Sequence, residues 1–287
     1  MKNEMKTATV TDDGTARIHY RTVWISDVHL GTAGCRAEQL TAFLKSIDCD
    51  TLYLVGDIID GWRLRSTFYW PQAHSNVVRS VLTKAKRGTR VVYVTGNHDE
   101  FLRKFTRTGL SLGNIEVVDE AEHRTADGRR LLVLHGDVFD TIVRHHRWLA
   151  VVGDVIYDAS MEFSRRLNKS LRLLGMKEWS LSAFAKRHVK IAVNVVSNFE
   201  DAVATECRRR DYDGIVSGHI HHAEIRDIAG IQYHNCGDWV ENCTALVENE
   251  RGDIEILRWP PAADVPLRSN KPLQKSLPAL VLVPRAV

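Results

Sequence analysis

The sequence predicts an α/β protein built around a parallel sheet. Three observations lead there. Short β-rich apolar runs alternate with runs of helical spacing over residues 21–95. Five small polar clusters each stand where an apolar run stops: Asp27-Val28-His29, Gly56-Asp57, Gly96-Asn97-His98-Asp99, His135-Gly136-Asp137 and Gly218-His219-Ile220-His221. A hydrophobic content of 44% in 287 residues supports a core, and 26% charged residues is ordinary for a soluble chain.

Residues 1–20 read as a polar leader without the apolar stretch of a secretory signal. Arg21 to Ser26 reads as a buried strand. Arg36 to Ile47 places Ala37, Leu40, Phe43, Leu44 and Ile47 at helical spacing. Thr51 to Val55 is the next strand, His74 to Lys86 a helix stopped by Gly88, and Arg90 to Thr95 a third strand. This order implies right-handed crossovers and a parallel sheet. Ligands of such sheets bind beyond the carboxyl ends of the strands, where Asp27, Asp57 and Asn97 all fall.

Ile115 to Val118 suggests a further strand, and Glu122–Thr125 with Arg130–Leu134 a hairpin around Asp127-Gly128 that ends on His135. From Val138 to about Arg210 the pattern is helical and basic. Short β runs follow at Asp213–Ser217, Glu224–Ile228, Ile231–Asn235, Thr244–Glu248 and Ile254–Arg258, with turns at Gly230 and Arg251-Gly252. The expected organisation is a leader over 1–20, one domain over 21–259 with a helical insertion at 138–200, and a tail over 260–287 that packs on the domain or is disordered.

Five scattered cysteines with no CxxC pair fit a reducing compartment and argue against a disulfide framework or a structural zinc site. No run of about 18 apolar residues is present, so no helix is expected to span a bilayer. A net charge of +3 does not by itself signal nucleic acid.

The five clusters offer two Asp, one Asn and four His as donors, with no thiolate. That is enough for two ions sharing one carboxylate, a clamp suited to displacement at phosphorus. Asp27 and His29 sit two apart, so a strand exit presents both on one face. Carboxylate with imidazole suits Mn, Fe, Co or Zn better than Ca. Gly56 allows the tight turn that brings in Asp57 as the bridge, and Asn97 supplies a neutral oxygen. His135 and His219 complete one site and His221 the other. Each cluster alone has a plainer reading: a capping turn, a hydrogen-bonded core His, a solvated edge. Their joint order and strand-end placement favour ligation.

These residues resemble the calcineurin-like metallophosphoesterase signature D-x-H, G-D, G-N-H-D/E, H-G-D and G-H-x-H, over roughly residues 21–258. The resemblance implies a metallophosphoesterase fold, two facing mixed β-sheets flanked by helices, with the insertion as a lid over the active site. It implies one ion on Asp27, His29, Asp57 and His221 and another on Asp57, Asn97, His135 and His219. The expected nucleophile is a hydroxide bridging two divalent ions. His98 is the candidate to contact a phosphoryl oxygen or protonate the leaving oxygen, and Asp99 the candidate to orient His98. Asp137 is a second such candidate, or a backbone cap.

Within the superfamily the chain is most similar to the UDP-2,3-diacylglucosamine diphosphatase group of lipid A synthesis. That resemblance implies hydrolysis of a sugar-nucleotide pyrophosphate, usually with manganese, at the cytoplasmic face of the inner membrane. The basic and apolar insertion fits an anionic membrane surface or a pocket for acyl chains, as well as a plain helical cap. Asn97, His98, Arg144 and Arg147 are the candidate substrate contacts. One departure stands out: that group carries Arg after the ligand Asn, where this chain has His98. The run Asn235-Cys236-Gly237-Asp238-Trp239-Val240-Glu241-Asn242 resembles a related branch and names no substrate by itself.

The alternative is a soluble phosphodiesterase or phosphatase acting on a nucleotide or another small phosphoester. A non-catalytic scaffold is disfavoured because every donor is present. A nuclease is disfavoured because the apolar residues among the basic ones are mostly aliphatic, offering few rings to stack bases.

Overall fold

The computed structural model describes residues 8–10, 16–106, 109, 111–139, 202–260 and 281–282. The chain divides into two compact units: Met1–Asp137 with Cys207–Val287, and Val138–Glu206. Most of the second unit lies outside the described residues, and with it Arg144 and Arg147. No helix among the described residues is long and apolar enough to cross a membrane. All five cysteines are free.

In the first unit the elements run β1 (Ala8–Val10), β2 (Ala16–Ile25), α1 (Ala37–Ser46), β3 (Ile47–Val55), α2 (Gly61–Ser66), α3 (Gln72–Lys86) and β4 (Arg90–Val94). A short helix α4 (Arg103–Thr106) precedes β5 (Ser111–Leu112), β6 (Ile115–Val118), β7 (Glu120–Arg124) and β8 (Arg130–Leu134). After the second unit come β9 (Gly214–Ser217), β10 (Glu224–Ile228), β11 (Ile231–Asn235), β12 (Thr244–Glu248), β13 (Ile254–Arg258) and β14 (Val281–Leu282).

Two sheets result. The larger has the order β14-β13-β12-β2-β3-β4-β6-β5, with β1 beside β2. Its centre, β2 to β3 to β4 to β6, is parallel. The smaller has the order β10-β11-β9-β8-β7, with β9 parallel to both β8 and β11. Val55, Val92 and Val94 from the first pack with Leu131, Val133 and Val216 from the second, so apolar faces of the two sheets share one core. The opposite face of the larger sheet buries Leu40, Phe43 and Leu44 of α1 and Val77 and Val81 of α3. Those positions follow the helical period, and the sheet supplies the partner surface each helix needs. The fold is α/β with two mixed sheets, as the sequence predicts.

Several boundaries differ from expectation. β2 begins at Ala16, five residues before the strand expected from Arg21, and pairs with β1. β3 begins at Ile47, where Asp48 and Asp50 interrupt the apolar pattern at the edge of the buried region. At the other end, β14 adds two residues of the expected tail to β13.

Candidate metal centre

All five polar clusters meet at the carboxyl ends of β2, β3, β4, β8 and β9. The larger sheet brings Asp27, His29, Asp57, Asn97 and His98, and the smaller brings His135, His219 and His221. Ligating atoms of Asp27, His29 and His221 lie within 4.8 Å of one another, and so do those of Asp57, His135 and His219. Each group holds three of the residues expected on one ion; the first lacks Asp57 and the second lacks Asn97.

The local backbone is bent to make this possible. Asp27, His29, Asp57, His219 and His221 have φ of 52°, 54°, 54°, 72° and 54°. That left-handed region costs a non-glycine residue about 1 kcal/mol or more and is held only where surrounding contacts enforce it. The glycines follow from crowding. A Cβ on Gly56 would enter the His135 ring, and one on Gly96 would overlap the Asp57 carboxylate and backbone nitrogen.

Hydrogen bonds aim each donor. The His219 amide donates to Asp27 Oδ2 at 2.8 Å, and the His98 amide donates to Asp57 Oδ1 at 2.8 Å. Each carboxylate is thus held by one oxygen, with the other turned inward. His135 Nδ1 faces the Val55 carbonyl at 3.0 Å, which fixes the proton there and leaves Nε2 as a lone-pair donor. Inward, His135 Nε2 lies 3.3 Å from Asp57 Oδ2, and His221 Nε2 lies 3.2 Å from Asp27 Oδ1.

Among the buried side-chain atoms without a well-aligned hydrogen bond, five stand at this centre: Asp27 Oδ1, His29 Nε2, Asn97 Oδ1, His135 Nε2 and His98 Nδ1. Unsatisfied buried polar atoms are costly and rare. The first four are atoms expected to bind metal, so the donor set fits a pair of divalent ions.

Electrostatics agree. Burial pushes the Asp27 carboxyl up, but His221 and His135 overcome it, and Asp27 is held below the usual range. Asp57 is likewise held low against burial, chiefly by His135 and the His98 amide. Burial lowers His29 toward the neutral imidazole that ligation requires. His135 resists its burial and is pushed up to about 10 by Asp57 and Asp27. His221 is raised by its bond to Asp27. Two carboxylates and several imidazoles thus share a small volume in which each kind of group offsets the burial of the other.

One expected contact is not made. Asp99, the expected partner of His98, faces away from its ring. Its carboxylate accepts from the Ile58 amide at 2.9 Å, the Tyr93 hydroxyl at 2.7 Å and the Gly96 amide. Asp99 is fully buried and braces the loop; burial raises its carboxyl and, together with Asp99, raises the Tyr93 hydroxyl. Asp60 takes the expected place, with Oδ1 3.2 Å from His98 Nδ1 and Oδ2 3.5 Å from His29 Nδ1. Sequence reasoning missed Asp60. The available signal was its position between an apolar strand end and a short helix, which reads as an N-cap, and Asp60 is one: Oδ1 accepts from the Arg63 amide at 2.7 Å. Asp137 pairs with Arg103 at 2.7 Å and so is an ion-pair partner at the rim.

The run 235–242 supports the centre from behind. Ser26 Oγ donates to the Gly237 carbonyl at 2.9 Å, and the Trp239 amide to the Asp27 carbonyl at 3.0 Å. Asn235 Nδ2 donates to the Gly218 carbonyl at 2.7 Å. Asp238, fully buried, collects the amides of Val240, Glu241 and Asn242, and Asn242 Nδ2 reaches the His221 carbonyl at 3.2 Å.

Comparison with known proteins is consistent with this geometry. The chain is 24% identical to a UDP-2,3-diacylglucosamine hydrolase of Pectobacterium carotovorum, covering 83% of this chain and 99% of the relative. It is 23% identical to a protein of the same description from Ralstonia nicotianae, covering 75% and 82%. Among solved structures it resembles a Vps29 mutant of Entamoeba histolytica, at 12% identity and a TM-score of 0.41 over 83% of this chain and 90% of the other. The calcineurin-like phosphoesterase model matches residues 20–223. The chain therefore belongs to the calcineurin-like phosphoesterase family and is a metal-dependent phosphohydrolase.

Proposed function

We propose that the protein hydrolyses a lipid-linked phosphate or pyrophosphate, with UDP-2,3-diacylglucosamine as the best single substrate, at the cytoplasmic membrane face. The substrate class is supported by the two described relatives, whose likeness extends over most of their length. The chemistry rests on one observation: the four buried, unsatisfied donor atoms of Asp27, His29, Asn97 and His135 converge at the strand ends.

In this reading Asp27, His29, Asp57 and His221 would hold one ion and Asp57, Asn97, His135 and His219 the other, with manganese the expected metal. When bound, such a pair supplies an activated water near neutral pH and neutralises charge on the phosphoryl oxygens. The chain's own residues do the rest. Asp60 Oδ1 lies 3.2 Å from His98 Nδ1, and His98 Nε2, 3.9 Å from Asp57 Oδ2, faces the centre. From there His98 contacts a phosphoryl oxygen or gives a proton to the leaving oxygen. The same Asp60 orients His29, so one carboxylate sets two rings. Arg144 and Arg147 remain candidate substrate contacts at the start of the insertion.

A second reading is favoured by His98 itself. A phosphate leaving group needs no proton, whereas an alkoxide does. An imidazole held by Asp60 therefore also suits a small phosphodiester or monoester. Turnover of detergent-dispersed UDP-2,3-diacylglucosamine beside bis-p-nitrophenyl phosphate, with manganese, separates the two. Cleavage of the glycolipid is the expected result. Cleavage of the small ester alone would replace the first reading with the second.

A further inference from the structure

Beside the centre lies a surface patch of aromatic and cationic side chains. Helix α2 and the loop after it expose Trp62, Phe68 and Tyr69, with Arg63 and Arg65 among them. Phe68 is 80% exposed, the most exposed large apolar side chain among the described residues. The patch touches the site directly: the Trp62 ring lies 4.3 Å from the His98 ring, and its Nε1 donates to Glu100 at 3.1 Å. Helix α3 extends it with exposed Arg79, Leu82 and Lys86.

Charge along this stretch is one-sided. Between Asp60 and Asp99 there is no Asp or Glu, against seven Lys and Arg. Of the seven, Lys84 donates to the Ile47 carbonyl and Arg90 pairs with Glu116.

An aromatic ring left in water adds nothing to the core, and a surface on which cations outnumber acids invites an anionic one. Trp and Tyr suit the boundary between apolar and aqueous phases, where a ring is buried and its polar atom stays wet. Cationic side chains near such a boundary draw anionic lipid headgroups. We propose that residues 61–71 and the exposed face of α3 seat on an anionic lipid surface, with Phe68 inserted among the acyl chains. This deepens the lipid-linked reading above, because it would bring the rim at Trp62 and His98 to headgroup level. A single-stranded nucleic acid fits less well. It needs open ring faces in series, whereas Trp62 lies tilted at 37° against the His98 ring and Tyr69 meets the His74 ring edge-on at 5.7 Å.

The test uses the full chain and Phe68→Asp in sedimentation with vesicles of phosphatidylcholine alone or mixed with phosphatidylglycerol. The native chain should bind the mixed vesicles, bind neutral ones weakly, and release as salt is raised. Phe68→Asp should bind about tenfold more weakly, the effect of withdrawing one large apolar side chain from an apolar phase. It should cleave bis-p-nitrophenyl phosphate as the native chain does, which reports an intact fold. Equal vesicle binding by both chains, no binding by either, or preference for a DNA oligonucleotide over the vesicles would overturn the proposal. A Phe68-dependent interaction without glycolipid turnover would overturn the substrate reading alone. Glycolipid turnover in detergent with Phe68→Asp binding vesicles normally would overturn the surface alone.

Discussion

Asp60 and His98 are coupled through a 3.2 Å contact between Oδ1 and Nδ1, and no cluster containing His98 includes Asp60 in the sequence. The contact sets Asp60 behind the ring, on the side away from Nε2, which lies 3.9 Å from Asp57 Oδ2. Replacing Asp60 with Asn is expected to reduce kcat by roughly 10–100-fold, the range for losing a group that orients another. The loss should be larger for esters with poor leaving groups than for p-nitrophenyl esters, which need little proton transfer. Equal losses across a leaving-group series would mean that Asp60 does not act through His98.

Gly96 packs against the Asp57 carboxylate so closely that no side chain fits between them. Gly96→Ala should therefore displace Asp57 and weaken metal binding by about 10–100-fold, as misplacement of a supporting group does. Titration with manganese, followed calorimetrically beside a circular dichroism spectrum, measures both affinity and retained fold. Native affinity in the Ala variant would contradict the close packing.

Unsatisfied donors in a strained cradle make the metal a stabilising ligand. At a free ion concentration about 100 times Kd, binding to the folded state alone adds about 2.7 kcal/mol. Manganese should raise Tm of the native chain, and a chelator should reverse the rise. His135→Ala should respond much less. An equal shift in that variant would place the stabilising ion elsewhere.

Glu248 provides a pH signature away from the centre. Burial pushes its carboxyl up, but His123 at 2.8 Å and the Ala126 amide at 2.7 Å hold it below its ordinary value. Arg21 adds an ion pair at 2.7 Å. Because the folded-state pKa is depressed, this stabilisation is present above the unfolded carboxylate pKa and is lost as pH falls through the folded one. Glu248→Gln should cost about 2 kcal/mol near neutrality, within the range for breaking a hydrogen bond to a buried charge. The deficit should shrink on acidification, which urea unfolding from pH 7 to pH 3 would reveal. A constant deficit would remove the titration from the account.

Much of this molecule is legible in its sequence because strand ends are marked twice. Val91 to Val94 read as a strand by their side chains, and Gly96-Asn97 then marks the exit by its loop chemistry. The same holds for Leu131–His135 and Ile215–His219. What escaped had no such double mark. Helix α2 has six residues, too few for a period to emerge. Asp60 reads as a cap and is one, so its second role left no trace in composition. Asp99 shows the opposite error: it adjoins His98 in the chain, yet the backbone turns it toward Tyr93. Neighbours in sequence need not be neighbours in space, and only tertiary packing decides which carboxylate reaches a given ring.

Because Asp27, Asp57 and Asn97 ride on one sheet and His135 and His219 on the other, the spacing of the donors is set by how the layers mesh. Val55, Val133 and Val216 then act as shims between two halves of a vice. Trimming one of them should detune turnover through the jaw gap as well as lower the melting temperature.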